Sequence, residues 1–140
     1  MPTGSTIMRF RVPSMRISLA LCLVATSAAA KGWPDGYLGK LSKADCRCIA
    51  AHNKEWCDSA DARGLAANNK NGCASADCRG VVTKEASFCE SSLCKAWARG
   101  NRDLCASGDD DCKGLAANVA DWCGSNRCRA IVKKSADLCD

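Results

Sequence analysis

The sequence predicts an all-α fold, a small disulfide-rich array of six helical repeats of about 16 residues each. Cysteine accounts for 13 of the 140 residues, and pairs of cysteines recur eleven positions apart. The residues between them are rich in alanine, and their apolar side chains fall on one helical face. Alternating runs of β-branched residues, which would indicate strands, are short. A chain of this length supports one domain or one short repeat array.

The repeat units are defined by their cysteines. Five units open and close with cysteines eleven positions apart, whereas the second unit opens at Ala62 and closes at Cys73. The units begin at residues 46, 62, 78, 94, 112 and 128, with two additional residues in the loop 108–111. The motif Gly-Leu-Ala-Ala-Asn occurs at 64–68 and again at 114–118, which indicates duplication of a three-unit block.

Several other columns of the repeat are consistent. The opening residue of a unit is numbered position 0. In every unit position 1 is basic, position 2 is small and position 3 is large and apolar. The small residue at position 2 is glycine or alanine in five units and Cys48 in unit one. Position 10, directly before the closing cysteine, is large and apolar in five units. Positions 3 and 10 are therefore expected to form a thin core. The basic residues, called the basic column below, are Arg47, Arg63, Arg79, Lys95, Lys113 and Arg129.

Each unit is predicted to be a short helix, a bend and a helical turn that leads into the closing cysteine. A serine follows five of the closing cysteines by two residues, where its hydroxyl can cap the next helix. These serines are Ser59, Ser75, Ser91, Ser107 and Ser125. Position 7 would lie within the apolar face of one continuous helix, yet it is mostly polar. The bend is therefore expected at position 6 or 7.

Residues 1–30 have the features of a secretory signal peptide. Three arginines and no acidic residue accompany an apolar run at 17–24, and the segment ends in small residues that include Ala28 and Ala30. We expect cleavage after Ala30, an N-terminal spacer or cap at 31–43 and a repeat domain at 44–140. A membrane anchor and lipidation at Cys22 are the alternatives, but the apolar run is too short to span a bilayer. The mature chain is expected to be secreted or periplasmic, with no membrane span.

Without Cys22, twelve cysteines remain, and we expect six disulfides. A straight helix would separate opening and closing cysteines by about 16 Å, whereas a disulfide needs Cα atoms within about 7 Å, so pairing within a unit requires the bend. The favoured scheme pairs Cys46 with Cys57, Cys48 with Cys73, Cys78 with Cys89, Cys94 with Cys105, Cys112 with Cys123, and Cys128 with Cys139. A competing scheme bridges neighbouring units at 73–78, 89–94, 105–112 and 123–128 and leaves 46, 48, 57 and 139 to pair among themselves.

The composition argues against an enzyme. His52 is the only histidine and lies at the predicted bend, so no nucleophile–histidine arrangement can be built without it. The acidic loop 109–111 lacks the ligand pattern of an EF-hand and is expected to be solvated. The prediction is therefore no catalytic residue, no metal site and no cofactor.

The predicted function is that of an exported, disulfide-stabilised binding or structural module that acts through its surface, such as an inhibitor or an envelope interaction protein. A regular stack would align the basic column into a ribbon for a protein or an anionic surface polymer. The alternatives are that each of these residues is a solvated side chain that lies over the disulfide of its unit, or that it pairs with an acidic neighbour two positions earlier, as in Asp45 and Arg47. Trp33 and Tyr37 are expected to cap the open end of the first unit.

Two other partner classes were weighed. Residues 31–140 contain 17 lysines and arginines against 15 acidic residues, and this small excess does not indicate nucleic-acid binding. Reduced cysteines would instead be ligands for soft metals, so a thiol-rich copper- or zinc-binding protein is the alternative function.

Overall fold

The computed structural model describes residues 32–140, and this part of the chain is helical without strands, as predicted. No helix among these residues is long and apolar enough to cross a membrane. The predicted signal peptide at 1–30 lies outside the described residues. The helices are α1 (Lys43–Ala51), α2 (Ala60–Ala67), α3 (Ala76–Thr83), α4 (Ser92–Arg99), α5 (Asp110–Ala117) and α6 (Asn126–Lys133).

Each α-helix begins at a capping side chain. The predicted serine caps are confirmed for four helices, where the hydroxyl accepts a hydrogen bond from the backbone N–H of position 0. Ser107 is not a cap, and this prediction is wrong. The two inserted residues move the start of α5 along the chain, and the Asp109 carboxylate caps Cys112 N–H instead. The confirmed serine caps are Ser59, Ser75, Ser91 and Ser125.

Each α-helix ends at position 5, and the chain bends at position 6, as predicted. The residue there has left-handed backbone geometry in all six units, and its N–H bonds back to the last turn. The N–H of position 7 bonds to the carbonyl of position 2, as in Asn53 to Cys48. A 3₁₀ turn then leads to the closing cysteine. These turns are Lys54–Trp56, Lys70–Gly72, Ala86–Phe88, Arg102–Leu104, Ala120–Trp122 and Ala136–Cys139.

The bend predicts opposite effects for two neighbouring lysines. Lys134 occupies the left-handed position with φ 58°, whereas Lys133 is the last helical residue. We expect Lys134→Gly to raise the free energy of unfolding by about 0.5–1 kcal/mol, because glycine removes the steric cost of that conformation. Lys133→Gly is expected to lower it by about 1 kcal/mol. Urea unfolding of the two oxidised variants measures both values, and equal losses would contradict the assigned bend.

The six units form a closed ring rather than an open stack. Each helix packs against the next, and α6 packs against α1. An acidic side chain before position 0 ties a unit to the loop that precedes the next helix. Asp61 Oδ1, for example, accepts hydrogen bonds from Ala74 N–H at 2.8 Å and Ser75 N–H at 2.9 Å. Asp45, Asp77 and Asp111 accept the same pair of bonds in their units.

The favoured cysteine pairing, five pairs within units and Cys48 with Cys73, is wrong for all six pairs. The closing cysteine bonds to the opening cysteine of the next unit at 73–78, 89–94, 105–112 and 123–128, as in the competing scheme. The same rule joins Cys139 to Cys46 where the ring closes. Cys57 faces a unit that opens with Ala62, and it bonds to Cys48 instead. The physical reason is that the bend directs the closing cysteine towards the next helix, not back to its own first turn.

The bridges also explain the small residues at position 2. A Cβ atom on Gly64 would lie 2.5 Å from Cys73 Sγ and 3.0 Å from Cys78 Sγ, so the disulfide leaves no room for a side chain. A Cβ atom on Gly80 would lie 2.6 Å from the closing sulfur of its unit, and a Cβ atom on Gly114 would lie 2.7 Å from that of its own unit. A cysteine at position 2 therefore lies beside the closing sulfur of its own unit, which accounts for the bridge from Cys48 to Cys57.

Residues 32–41, the hub segment, fill the middle of the ring. Trp33, Leu38 and Leu41 are buried in one cluster with the position-3 side chains. Trp33 N–H donates to Asp77 Oδ2 at 2.8 Å, and Arg127 Nε donates to Leu41 O at 2.6 Å. The hub segment thus contacts units on several sides of the ring. Its expected role as a cap on an open end is wrong, because the ring of described units has no open end.

Candidate interaction surface

Four large apolar side chains face the solvent, and all four occupy position 10. They were expected in the core, and that expectation is wrong for these units. In a 3₁₀ turn successive side chains point about 120° apart, so a closing cysteine that faces the next helix leaves its predecessor facing outwards. These side chains, called the rim residues, are Trp56, Phe88, Leu104 and Trp122, with 47, 49, 37 and 42% of their surface exposed.

Position 10 of unit two is a glycine. A Cβ atom on Gly72 would lie 3.2 Å from Gly64 Cα, so the turn and the helix of this unit approach closely here. This glycine was the one signal in the sequence that position 10 is not a uniform core column. Single exposed apolar residues are ordinary, but four at one repeat position form a repeated surface feature.

Some side chains of the basic column are hydrogen-bonded to backbone carbonyls of the fold. Arg129 Nη2 donates to Cys123 O at 3.2 Å, and Arg63 Nη1 makes a long contact of 3.5 Å with Cys57 O. A position-1 side chain in these units therefore reaches the closing cysteine of the preceding unit. The exposed members are Arg63, Arg79 and Lys95, and the partly buried members are Arg47, Lys113 and Arg129.

The basic column does not pair with the acidic residues two positions earlier. Asp45, Asp61, Asp77 and Asp111 bind backbone N–H groups, as described above. Within residues 32–140 the one ion pair joins Lys43 Nζ to Asp140 Oδ1 at 2.9 Å, and both side chains are exposed. The alternative use of the basic column as partners of these carboxylates is therefore wrong, because the carboxylates are already engaged.

Burial makes the accessible surface slightly more cationic than the sequence indicates. Residues 32–140 contain 16 basic and 15 acidic side chains. Five of the acidic side chains accept backbone N–H bonds, and two of these five are buried. Asp45 and Asp77 are buried, whereas no lysine or arginine in the described range is. The five engaged residues are Asp45, Asp61, Asp77, Asp109 and Asp111.

Basic and rim side chains meet at two places. The Arg47 guanidinium lies 5.8 Å from the centroid of the Trp56 ring, and the Arg102 guanidinium lies 4.6 Å from that of Trp122. Both distances are in the range of cation–π contacts. Each pair therefore presents a cation and an aromatic surface side by side.

Trp33 and Tyr37 form a buried stack and not an exposed patch. Their ring centroids lie 4.4 Å apart with nearly parallel planes, and Trp33 Nε1 donates to Asp61 Oδ2 at 3.0 Å. Burial, assisted by the nearby Asp61 and Asp45 carboxylates, raises the pKa of Tyr37. Burial alone would raise the pKa of Asp61, but hydrogen bonds from Ser75, Trp33 and Ala74 outweigh it and leave that pKa lowered.

Several open grooves border these features, and two of them involve units four and five. The larger, of about 460 Å³, lies between the hub segment and units four and five, and Asp109 and Asp111 are among its lining residues. Both carboxylates already accept backbone N–H bonds. The other groove, of about 420 Å³, lies in units four and five and contains Arg102 and Lys113.

The cysteines that could act as metal ligands in the described residues are bonded to one another as disulfides. Asp77 lies close to Cys89 and Cys94, and Asp111 lies close to Cys123 and Cys128, but both cysteine pairs are disulfides and offer no thiolate. All twelve cysteines of the described range are bridged. His52 is the exposed residue at the bend of unit one.

The chain matches no family model, no curated protein and no solved structure with which it was compared. Six disulfides in a small helical ring are typical of a module from an oxidising compartment, either extracellular or periplasmic.

Proposed function

We propose that this protein is an exported binding module that binds an anionic surface polymer through its basic column and rim residues. The observation that carries the proposal is the contact between one member of each set, with the Arg47 guanidinium 5.8 Å from the centroid of the Trp56 ring. A polyanion has a regular charge, and its binding needs repeated cations rather than one deep pocket. The repeat supplies such cations at equivalent places around the ring.

Two further features support a binding role over catalysis. The buried polar side chains of the described range, Asp45 and Asp77, accept backbone hydrogen bonds and hold units together. The disulfides and the hub segment make the ring rigid, and rigidity lowers the entropy cost of presenting a surface to a partner. We therefore propose no enzymatic activity and no cofactor.

The soft-metal alternative is less well supported than the polymer. It requires free thiolates, and the twelve cysteines of residues 32–140 are bridged. A nucleic-acid partner is also disfavoured, because six disulfides indicate a compartment outside the reducing cytosol. An oxidising compartment favours a polymer of a cell surface or matrix.

The test compares two double variants with the same change in charge. Arg47→Gln with Arg79→Gln removes two members of the basic column, whereas Lys40→Gln with Lys133→Gln removes two exposed lysines outside it. We expect the first variant to bind dextran sulfate about fivefold more weakly than the native chain in titration calorimetry at low salt. The control variant is expected to stay within about twofold.

Neutral dextran is the negative probe, and added salt is a second readout. Binding through exposed charges is expected to weaken between low and high salt, because counterions screen them. Equal losses in the two double variants, or no binding at low salt of either dextran sulfate or a carboxylated polysaccharide, would overturn the proposal.

A further inference from the structure

The loop between units four and five differs from the other loops of the ring. It contains the two-residue insertion, so Cys105 and Cys112 are separated by seven positions, against five for Cys89 and Cys94. Beside this bridge lies the open groove of about 420 Å³ introduced above. We name it the insertion groove, and its lining residues are Arg102, Asp103, Cys105, Ser107 and Lys113.

The charges of the insertion groove suit one negative group. Arg102 and Lys113 each contribute a positive charge, and Asp103 contributes a negative one, which leaves a single positive charge. Neither cation has a carboxylate partner within ion-pair distance in the described range. Ser107 adds a hydroxyl that can donate a hydrogen bond to an anion. Electrostatic complementarity therefore favours a monoanion over a dianion.

An aromatic ring, that of Trp122, contacts Arg102, one of the residues that line the groove. The Arg102 guanidinium lies 4.6 Å from the centroid of the Trp122 ring, and Trp122 retains 42% of its surface exposed. An indole ring packs well against the apolar C–H face of a sugar ring. The site thus places a flat apolar surface next to a singly positive groove, which is the complement of a sugar ring that carries one acidic group.

We propose that the insertion groove binds an acidic sugar residue of a polysaccharide, with its carboxylate or sulfate ester between Arg102 and Lys113 and its ring against Trp122. This inference rests on the proposed function, because it names the polymer class and the unit that recognises it. A nucleic acid could also offer a monoanion and a flat ring, but the small net charge and the disulfides favour the polysaccharide.

The experiment measures the affinity of the oxidised chain for four probes by titration calorimetry. Polygalacturonate presents a carboxylate, dextran sulfate presents a sulfate ester, neutral dextran presents neither, and oligothymidylate represents nucleic acid. We expect binding of one or both acidic polysaccharides and none of neutral dextran. The tighter of the two acidic probes identifies the anionic group.

Matched variants test the location. Arg102→Gln with Lys113→Gln is expected to weaken acidic-polysaccharide binding at least about tenfold, against about fivefold for Arg47→Gln with Arg79→Gln. Trp122→Ser is expected to weaken it about fivefold, and Asn71→Ser, which changes an exposed neutral residue outside the basic column, the rim and the groove, less than about twofold. Circular dichroism of each variant checks that the helical fold is retained.

The outcomes separate this inference from the proposed function. If Arg102→Gln with Lys113→Gln weakened binding no more than Arg47→Gln with Arg79→Gln does, the groove would not be the preferred site. The polymer-binding role would still stand. Tighter binding of oligothymidylate than of both polysaccharides would overturn the assignment to an acidic sugar. No binding of any anionic probe would remove the proposed function itself.

Discussion

Replacing both Cys46 and Cys139 by serine is expected to lower the free energy of unfolding by about 4.7 kcal/mol. This bridge joins residues 93 positions apart, and in the chain-entropy model a longer loop constrains the unfolded chain more. The same model assigns about 2 kcal/mol to the bridge from Cys89 to Cys94, whose separation is five. Ring closure is therefore expected to be the most stabilising single bridge among those described.

The matched variant is Cys89→Ser with Cys94→Ser, because both pairs are buried and both changes leave no free thiol. Urea unfolding monitored by circular dichroism gives the two free energies of unfolding under oxidising conditions. A loss for the Cys46 and Cys139 variant that does not exceed the loss for the control would mean that the first and last units are not held together in solution.

The second large effect is expected at the hub. Trp33→Ala should lower the free energy of unfolding by about 4 kcal/mol, because it empties a buried site and removes the stack on Tyr37. It also removes the hydrogen bond from Trp33 Nε1 to Asp61. Trp33→Phe keeps an aromatic ring but not the N–H donor, so it is expected to lower the free energy of unfolding by less than Trp33→Ala does. About 1 kcal/mol of this decrease is expected from the missing hydrogen bond.

Trp122→Ala is the control for the hub, since this tryptophan lies on the exposed rim. It is expected to change the free energy of unfolding by less than about 1 kcal/mol, in line with an exposed side chain. Denaturation of the three variants in urea measures the comparison. If Trp33→Ala cost no more than Trp122→Ala, the hub segment would not fill the ring.

The candidate surface was only half predictable from the sequence. The basic column follows from the repeat, because every unit has a lysine or arginine at position 1. The rim residues were placed in the core, since an apolar column beside a cysteine usually indicates burial. Their exposure depends on the direction that the 3₁₀ turn takes after the bend, and apolar periodicity contains no information about that direction. The sequence shows the insertion at 108–111 but predicts no site there, and only the structure places Arg102 beside Trp122.

The sequence by itself determined the local structure of this protein. Helices, four serine caps and the bend at position 6 depend on hydrogen bonds between residues close in the chain, and such bonds leave local residue patterns. The tertiary structure alone decided the cysteine partners, the closure of the ring and the burial of Trp33 at its centre. These features depend on residues as far apart as Cys46 and Cys139, which meet only when all six units have turned through a full circle. Spacing along the chain predicts which sulfurs are available, but the turn from one unit to the next decides which of them meet.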